Sequence, residues 1–173
     1  MALALILANE TGHRLSAIRH LRWSDVDLDR GRVRWRAAHD KIGFEHVTPM
    51  SPRVLAALLN ARHQRPAIGD SWVLPSIRDA SKPCPKGTLD KWFREAARIA
   101  GLTLPPRARW HSLRRKFATE LKNLPLKDLC HLGGWKDPKT LLECYQQADE
   151  DTMRQALIDR RPFGLSVVSI EPV

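Results

Sequence analysis

His111 and Arg114 stand three residues apart at the start of a stretch in which Leu113, Phe117, Ala118 and Leu121 recur at helical spacing. A helix there puts both side chains on one face of its first turn, where they can hold an anion, and the apolar stripe below gives them a rigid base. Further on come Gly133-Gly134-Trp135 and then Tyr145, the one tyrosine in the chain. Arg14 lies in Thr11-Gly12-His13-Arg14, and Lys41 falls in a stretch patterned as a hairpin. Singly these signals are weak, because His-x-x-Arg is common by chance and a lone tyrosine in an amphipathic helix is usually core or hydrogen-bonded surface. Together they are what metal-free attack on a phosphodiester requires. The diester repels nucleophiles and its alkoxide leaves poorly, so cations and proton donors must be supplied. Arg14 and Arg114 offer planar forks for phosphate oxygens, His111 titrates within reach of neutral pH, and a phenol, which in water ionises only at about pH 10, needs such neighbours to become a nucleophile. No cofactor or metal is called for.

The elements that must position these groups can be read in order. Leu3, Ile6 and Leu7 form an apolar helical face, Thr11-Gly12 turns the chain, and Ser16 is expected to cap a helix carrying Ile18 and Leu21. Arg14 in that turn is either salt-bridged structure or a ligand contact. Arg32, Arg34 and Arg36 alternate with Val33, Trp35 and Ala37, the period of a half-buried strand with a basic outer face. His39, Asp40 and Gly43 read as a turn and Phe44 to Thr48 as the returning strand, with Lys41 near the tip. Ser51-Pro52 opens a scaffold helix that ends before Pro66. Trp72-Val73-Leu74 is expected as a third strand, Pro75 to Pro85 as a surface loop, and Thr88 as the cap of a helix closed by Gly101.

Asn123 and Pro125 stop the His111 helix, and a short segment with Leu126, Leu129 and Leu132 leads to the Gly133-Gly134 break. Asp137 then reads as an N-cap with Pro138 first in a new helix, which puts Tyr145 about two turns in, either as core or as a nucleophile. Asp151 is expected to cap a last helix running to Arg161, ended by Pro162 and Gly164.

The segments TGHRLSAIRHLRWSDVDL, HDKIGFEHVTPMS, HSLRRKFATEL and LGGWKDPKTLLECYQ, in this order and spacing, resemble the catalytic domain of the tyrosine recombinases, the phage-integrase family. The resemblance covers roughly Leu5 to Arg161. It implies a mixed α+β domain, mainly helical with a small antiparallel sheet, in which Arg14, Lys41, His111, Arg114, Trp135 and Tyr145 are catalytic. By the same resemblance Tyr145 forms a 3′-phosphotyrosyl link, Lys41 protonates the departing 5′ oxygen, and Trp135 fills the family's His-or-Trp position, where an indole N–H can donate to phosphate but cannot shuttle a proton. Without ATP or metal, a second DNA hydroxyl can reverse the link. Two departures stand out. Ala17 takes the place of the acidic residue common three after the first arginine, which leaves support for Arg14 to come from elsewhere. Trp135 to Tyr145 spans ten residues where nine is usual. Rival readings are a non-cleaving DNA-binding protein of the same fold and a type IB topoisomerase-like relaxing enzyme.

Composition agrees with a polyanionic partner. The 173 residues carry 29 Lys and Arg against 19 Asp and Glu, a net charge of +10, and the pI is near 10.2. Double-stranded DNA is the expected partner, with Arg32, Arg34, Arg36 and Arg115 binding it, and the family resemblance implies self-association into a tetramer on DNA. With 43% hydrophobic content the chain can bury one core. Cys84, Cys130 and Cys144 are too few and scattered for a disulfide framework or a four-ligand zinc site, which fits a reducing cytoplasm. The apolar start from Met1 to Ala8 is far shorter than a membrane span and lacks a basic lead-in. A chain opening in mid-pattern is expected to be cut from something longer, with the family's amino-terminal DNA-clamping domain absent. Residues 1–164 form the catalytic domain in this reading. The apolar, β-prone tail Leu165 to Val173 is expected to dock in trans on a neighbouring protomer.

Overall fold

The computed structural model describes residues 1–40, 43–66, 69–145 and 149–160, apart from the Cys144 side chain. Lys41 and the tail from Leu165 to Val173 lie outside the described residues.

Helix α1 (Ala2–Thr11) buries Ala4, Leu7, Ala8 and Thr11 and packs on both α3 (Pro52–Gln64) and α5 (Trp110–Glu120). Gly12 ends α1 with φ 64, and a Cβ there would run into the Phe117 ring of α5. The turn therefore needs glycine for both backbone and space. Helix α2 (Leu15–Arg19) follows at once, with Arg14 itself as the N-cap and Ser16 already inside the helix. Arg14 is thus held between two helix ends, one of them buried.

Three antiparallel strands follow in the order β1 (Val26–Asp27), β2 (Arg32–Trp35) and β3 (His46–Pro49). Val33 and Trp35 point into the core while Arg32 and Arg34 point out, so the period-2 pattern is realised. Register pairs Trp35 with His46 and Val33 with Thr48, and the indole N–H of Trp35 donates to Thr48 Oγ1 at 2.9 Å. The expected third strand at Trp72-Val73-Leu74 is only a single bridge between Trp72 and Arg22, with Val73 N–H donating to Leu21 C=O at 2.9 Å. The added strand of the sheet is instead β1, too short to show a sequence period.

Helix α4 (Lys86–Ile99) starts directly after Pro85, two residues before Thr88, because Pro85 C=O already accepts from the Thr88 and Leu89 amides. The Ser51 and Asp137 caps are present, each accepting from a backbone N–H, and Asp149 rather than Asp151 caps the last helix. Helices α6 (Leu126–Gly133), α7 (Pro138–Cys144) and α8 (Glu150–Asp159) are the last elements among the described residues. Phe117, Ala118, Leu129, Cys130, Trp135 and Leu141 form a second small core that fixes α6 and α7 on α5. Among the described residues no helix is long and apolar enough to cross a membrane.

Candidate active site

Arg114 is the hub. Its side chain is buried, with 2% of the residue exposed, and one terminal nitrogen donates to both Gly12 C=O and Gly133 C=O. Both carbonyls come from helix-ending turns, so one arginine clasps the end of α1 to the end of α6. Its guanidinium lies over the Trp135 ring, 3.7 Å from the centroid. Gly133 makes this stacking possible, because a Cβ at that position would occupy the indole. Burial, and secondly the charge of Arg14, push the Arg114 pKa down to about 10, partly offset by the nearby Tyr145 side chain. The remaining donors, Nε and Nη2, are buried without a partner, as is Trp135 Nε1. Three donor nitrogens and one buried cation are thereby gathered in one place beside the Tyr145 side chain.

Tyr145 stands beside them. It is two turns along from Pro138, as the spacing implies, but it caps α7 instead of continuing it, with its N–H donating to Leu141 C=O at 3.0 Å. Its hydroxyl is 2.9 Å from His111 Nε2, and its ring centroid is 5.5 Å from those of both His111 and Trp135. His111 sits in the first turn of α5, one turn before Arg114. Its pKa is lowered by partial desolvation and then by the charges of Arg115, Arg114 and Arg14. Neutral His111 can therefore accept the phenolic proton near pH 7.

Arg14 contributes charge to this centre, since its field is felt at both His111 and Arg114. It pairs at 3.1 Å with Asp40, which follows β2. Ala17 is buried and contributes nothing polar, so the support for Arg14 comes from Asp40, 26 residues away in sequence. From sequence Asp40 reads only as a turn residue; its position next to Lys41 is the one signal that could have singled it out.

Two histidines also escape the sequence reading. His13 is buried between Trp35, stacked at 3.7 Å, and His46, whose Nε2 is 3.0 Å from His13 Nε2. His13 Nδ1 donates to Thr11 C=O at 2.9 Å, which makes Nε2 the acceptor from His46. Both histidines crowd Gly134 at 3.0 to 3.2 Å from where its Cβ would be. The pair therefore joins the hairpin, the Arg14 turn and the Gly133-Gly134 turn.

The strand arginines behave differently from one another. Arg34 and Arg36 both bond the buried Asp25 carboxylate, through Nη2 and Nε respectively, each at 2.8 Å. That bond raises the Arg36 pKa. Arg32 and Arg115 are exposed. Asp25 directly precedes β1, the strand paired with β2, and lies nine residues before Arg34; this local contact does not show in the sequence because β1 is too short to carry a period.

A buried arginine, a histidine and a tyrosine thus converge at helix ends, next to a small antiparallel sheet. The chain belongs to the phage integrase family, whose sequence model matches residues 1–152. It is 30% identical to the prophage integrase IntF of Escherichia coli (strain K12) over 150 residues, which is 84% of this chain and 30% of that protein. In fold it is similar to XerA recombinase, with a TM-score of 0.73 at 21% identity over 92% of this chain and 56% of the other. It is also similar to the lambda integrase dimer bound to a COC′ core site, with a TM-score of 0.64 at 22% identity, covering 85% and 43% of the two chains. The chain spans about a third of the prophage relative and about half of these solved structures.

Proposed function

We propose that this chain is the catalytic domain of a tyrosine recombinase or integrase, which cuts and rejoins duplex DNA through a 3′-phosphotyrosyl intermediate. The observation that carries this reading is the Tyr145 hydroxyl 2.9 Å from His111 Nε2, beside a buried arginine with two unfilled donors.

The diester phosphate docks against Arg114 Nε and Nη2 and the Arg14 fork, with Trp135 Nε1 as a further donor. The Tyr145 oxygen attacks phosphorus while its proton passes to His111 Nε2. Negative charge gathering on the equatorial oxygens is met by donors already fixed in a water-poor setting, where they need no reorganisation. The bond from phosphorus to the 5′ oxygen breaks, and that oxygen takes a proton from Lys41, the family's hairpin lysine. One phosphodiester is exchanged for another, so a hydroxyl of a second strand can reverse the step. In this reading residues 1–164 form the catalytic domain, Arg32 and Arg115 contact DNA, and protomers assemble as a tetramer on DNA. The solved transposon Tn1549 integrase in complex with circular intermediate DNA, 18% identical with a TM-score of 0.67, lends support for duplex DNA as the substrate.

A suicide duplex nicked near the cleavage point, incubated with the chain, tests this. A covalent adduct that disappears in Tyr145→Phe is expected. Binding without adduct at any concentration would favour a non-cleaving DNA-binding protein, and plasmid relaxation without strand exchange at paired sites would favour a topoisomerase-like enzyme.

A further inference from the structure

The loop before α5 contains a residue whose backbone conflicts with its side chain. Pro105, Pro106, Arg107 and Ala108 form a turn closed by Ala108 N–H donating to Pro105 C=O at 3.0 Å, and Arg107, in its third position, has φ 66. Among the described residues it is the one non-glycine with positive φ. A turn with proline second and positive φ third asks for glycine or asparagine at that third position. A long cationic side chain held there at a steric cost suggests a use for the guanidinium.

That guanidinium has company but, among the described residues, no ion-pair partner. Arg107, Arg94 of α4 and Arg109 line one hollow of about 220 Å³ together with Asp90, Phe93 and Ala108. All three arginines are exposed. The acids nearby are already engaged, Asp90 with Lys86 at 2.6 Å and Glu95 with Arg98 at 2.7 Å. Among the described residues no carboxylate lies within ion-pair distance of Arg94, Arg107 or Arg109. Phe93 packs on Trp110 with centroids 5.4 Å apart, which fixes the floor of the hollow to the first residue of α5. Three like charges gathered in a small concavity repel one another unless an anion is shared among them. Arg109, which lines the hollow, is also the N-cap of α5, two residues before His111.

We propose that Arg94, Arg107 and Arg109 clasp a single backbone phosphate of duplex DNA, flanking the phosphate held at Arg114. The clasp rests on the DNA-directed reading above, but not on the cleavage chemistry. It reads no base: three forks on phosphate oxygens fix position along the duplex and leave sequence to other contacts. Arg107 then supplies reach from a turn that is stiffened by two prolines.

The strain itself provides a clean test. Glycine adopts φ near 66° freely, so Arg107→Gly is expected to keep or improve the turn, and the melting temperature reports whether any loss of DNA binding comes from the loop unfolding. Binding of a duplex is measured by fluorescence anisotropy from low to moderate salt, using Tyr145→Phe protein so that no covalent product contributes. Arg107→Gly is expected to leave the melting temperature equal or higher and to weaken binding several-fold. The triple variant Arg94→Ala, Arg107→Gly, Arg109→Ala should lower the slope of log affinity against log salt by about 1, as expected when a single phosphate is no longer neutralised. An unchanged slope and affinity in the triple variant would overturn the clasp. So would a slope change of about three, which would mean that each arginine neutralises a phosphate of its own. A fall of several degrees in melting temperature for Arg107→Gly would overturn it too, by making the arginine structural. Absence of the covalent adduct together with an intact slope effect would sink the cleavage chemistry alone, so the two failures are told apart.

Discussion

Replacing Arg114 with methionine should separate stability from chemistry. The fall of its pKa from the ordinary arginine value to about 10, set mainly by burial, corresponds to roughly 3 kcal/mol by which the folded state disfavours the charge, at about 1.4 kcal/mol per unit. Removing the charge returns that amount. Against it stand the Gly12 and Gly133 carbonyls, each left without its donor at a cost of about 1–2 kcal/mol. The two sides nearly cancel, and methionine keeps most of the packing on Trp135. At about 2–4 °C per kcal/mol for a domain of this size, the melting temperature should move by only a few degrees either way. Cleavage should fall by about 100- to 1,000-fold or more, the range for removing one preorganised donor to a developing charge. Thermal melts with and without phosphate add a second measure. An anion at about 100 times its dissociation constant raises stability by about 2.7 kcal/mol, and Arg114→Met should abolish that rise. A variant that melts ten or more degrees lower would show Arg114 to be chiefly a clamp for two turns. Cleavage at the native rate would show that it does not touch the phosphate.

Three other outcomes follow from the same geometry. Cleavage should be flat near pH 7 and decline as pH drops below 6.5 through the lowered pKa of His111, and in His111→Gln that limb of the rate profile should vanish. His13 and His46 both have folded pKa values below 6.5 because of burial, so the unfolded chain takes up protons first. Their contribution is intact above about pH 6.5 and shrinks below it by at most roughly 1.4 kcal/mol per pH unit per histidine, seen as acid-sensitive melting that His13→Gln reduces. Asp40→Asn should lower the cleavage rate more than DNA affinity, since it loosens Arg14 without removing its charge; an equal fall in both would assign Asp40 to the DNA surface.

Most of the candidate site is legible in the sequence because its parts are local. Helical spacing puts His111 and Arg114 on one turn of α5, the Asp137-Pro138 cap marks the start of α7, and the family motifs point to Trp135 and Tyr145. What escapes is everything that depends on chain crossings. Asp40 reaches Arg14 and His46 meets His13 only once the sheet has closed on the first helices. These are polar contacts between residues far apart in sequence, and neither periodicity nor turn chemistry carries their pairing. The misplaced third strand has a similar cause: Trp72-Val73-Leu74 has strand-like residues, but one bridge to Arg22 is all the partner that the fold provides. Thr88 looks like a cap because threonine favours that role, yet Pro85, with its fixed φ, already sets the backbone for helix entry at Lys86.

That Tyr145 is the nucleophile is the centre of this mechanism. Its most direct test is to trap the chain on a nicked suicide duplex, digest the protein and the DNA, and locate the residual nucleotide by mass spectrometry. The expected product is a nucleotide linked through its 3′ phosphate to the peptide containing Tyr145, with a free 5′ hydroxyl on the released strand. A nucleotide on any other residue, or a 5′ phosphate link, would contradict it.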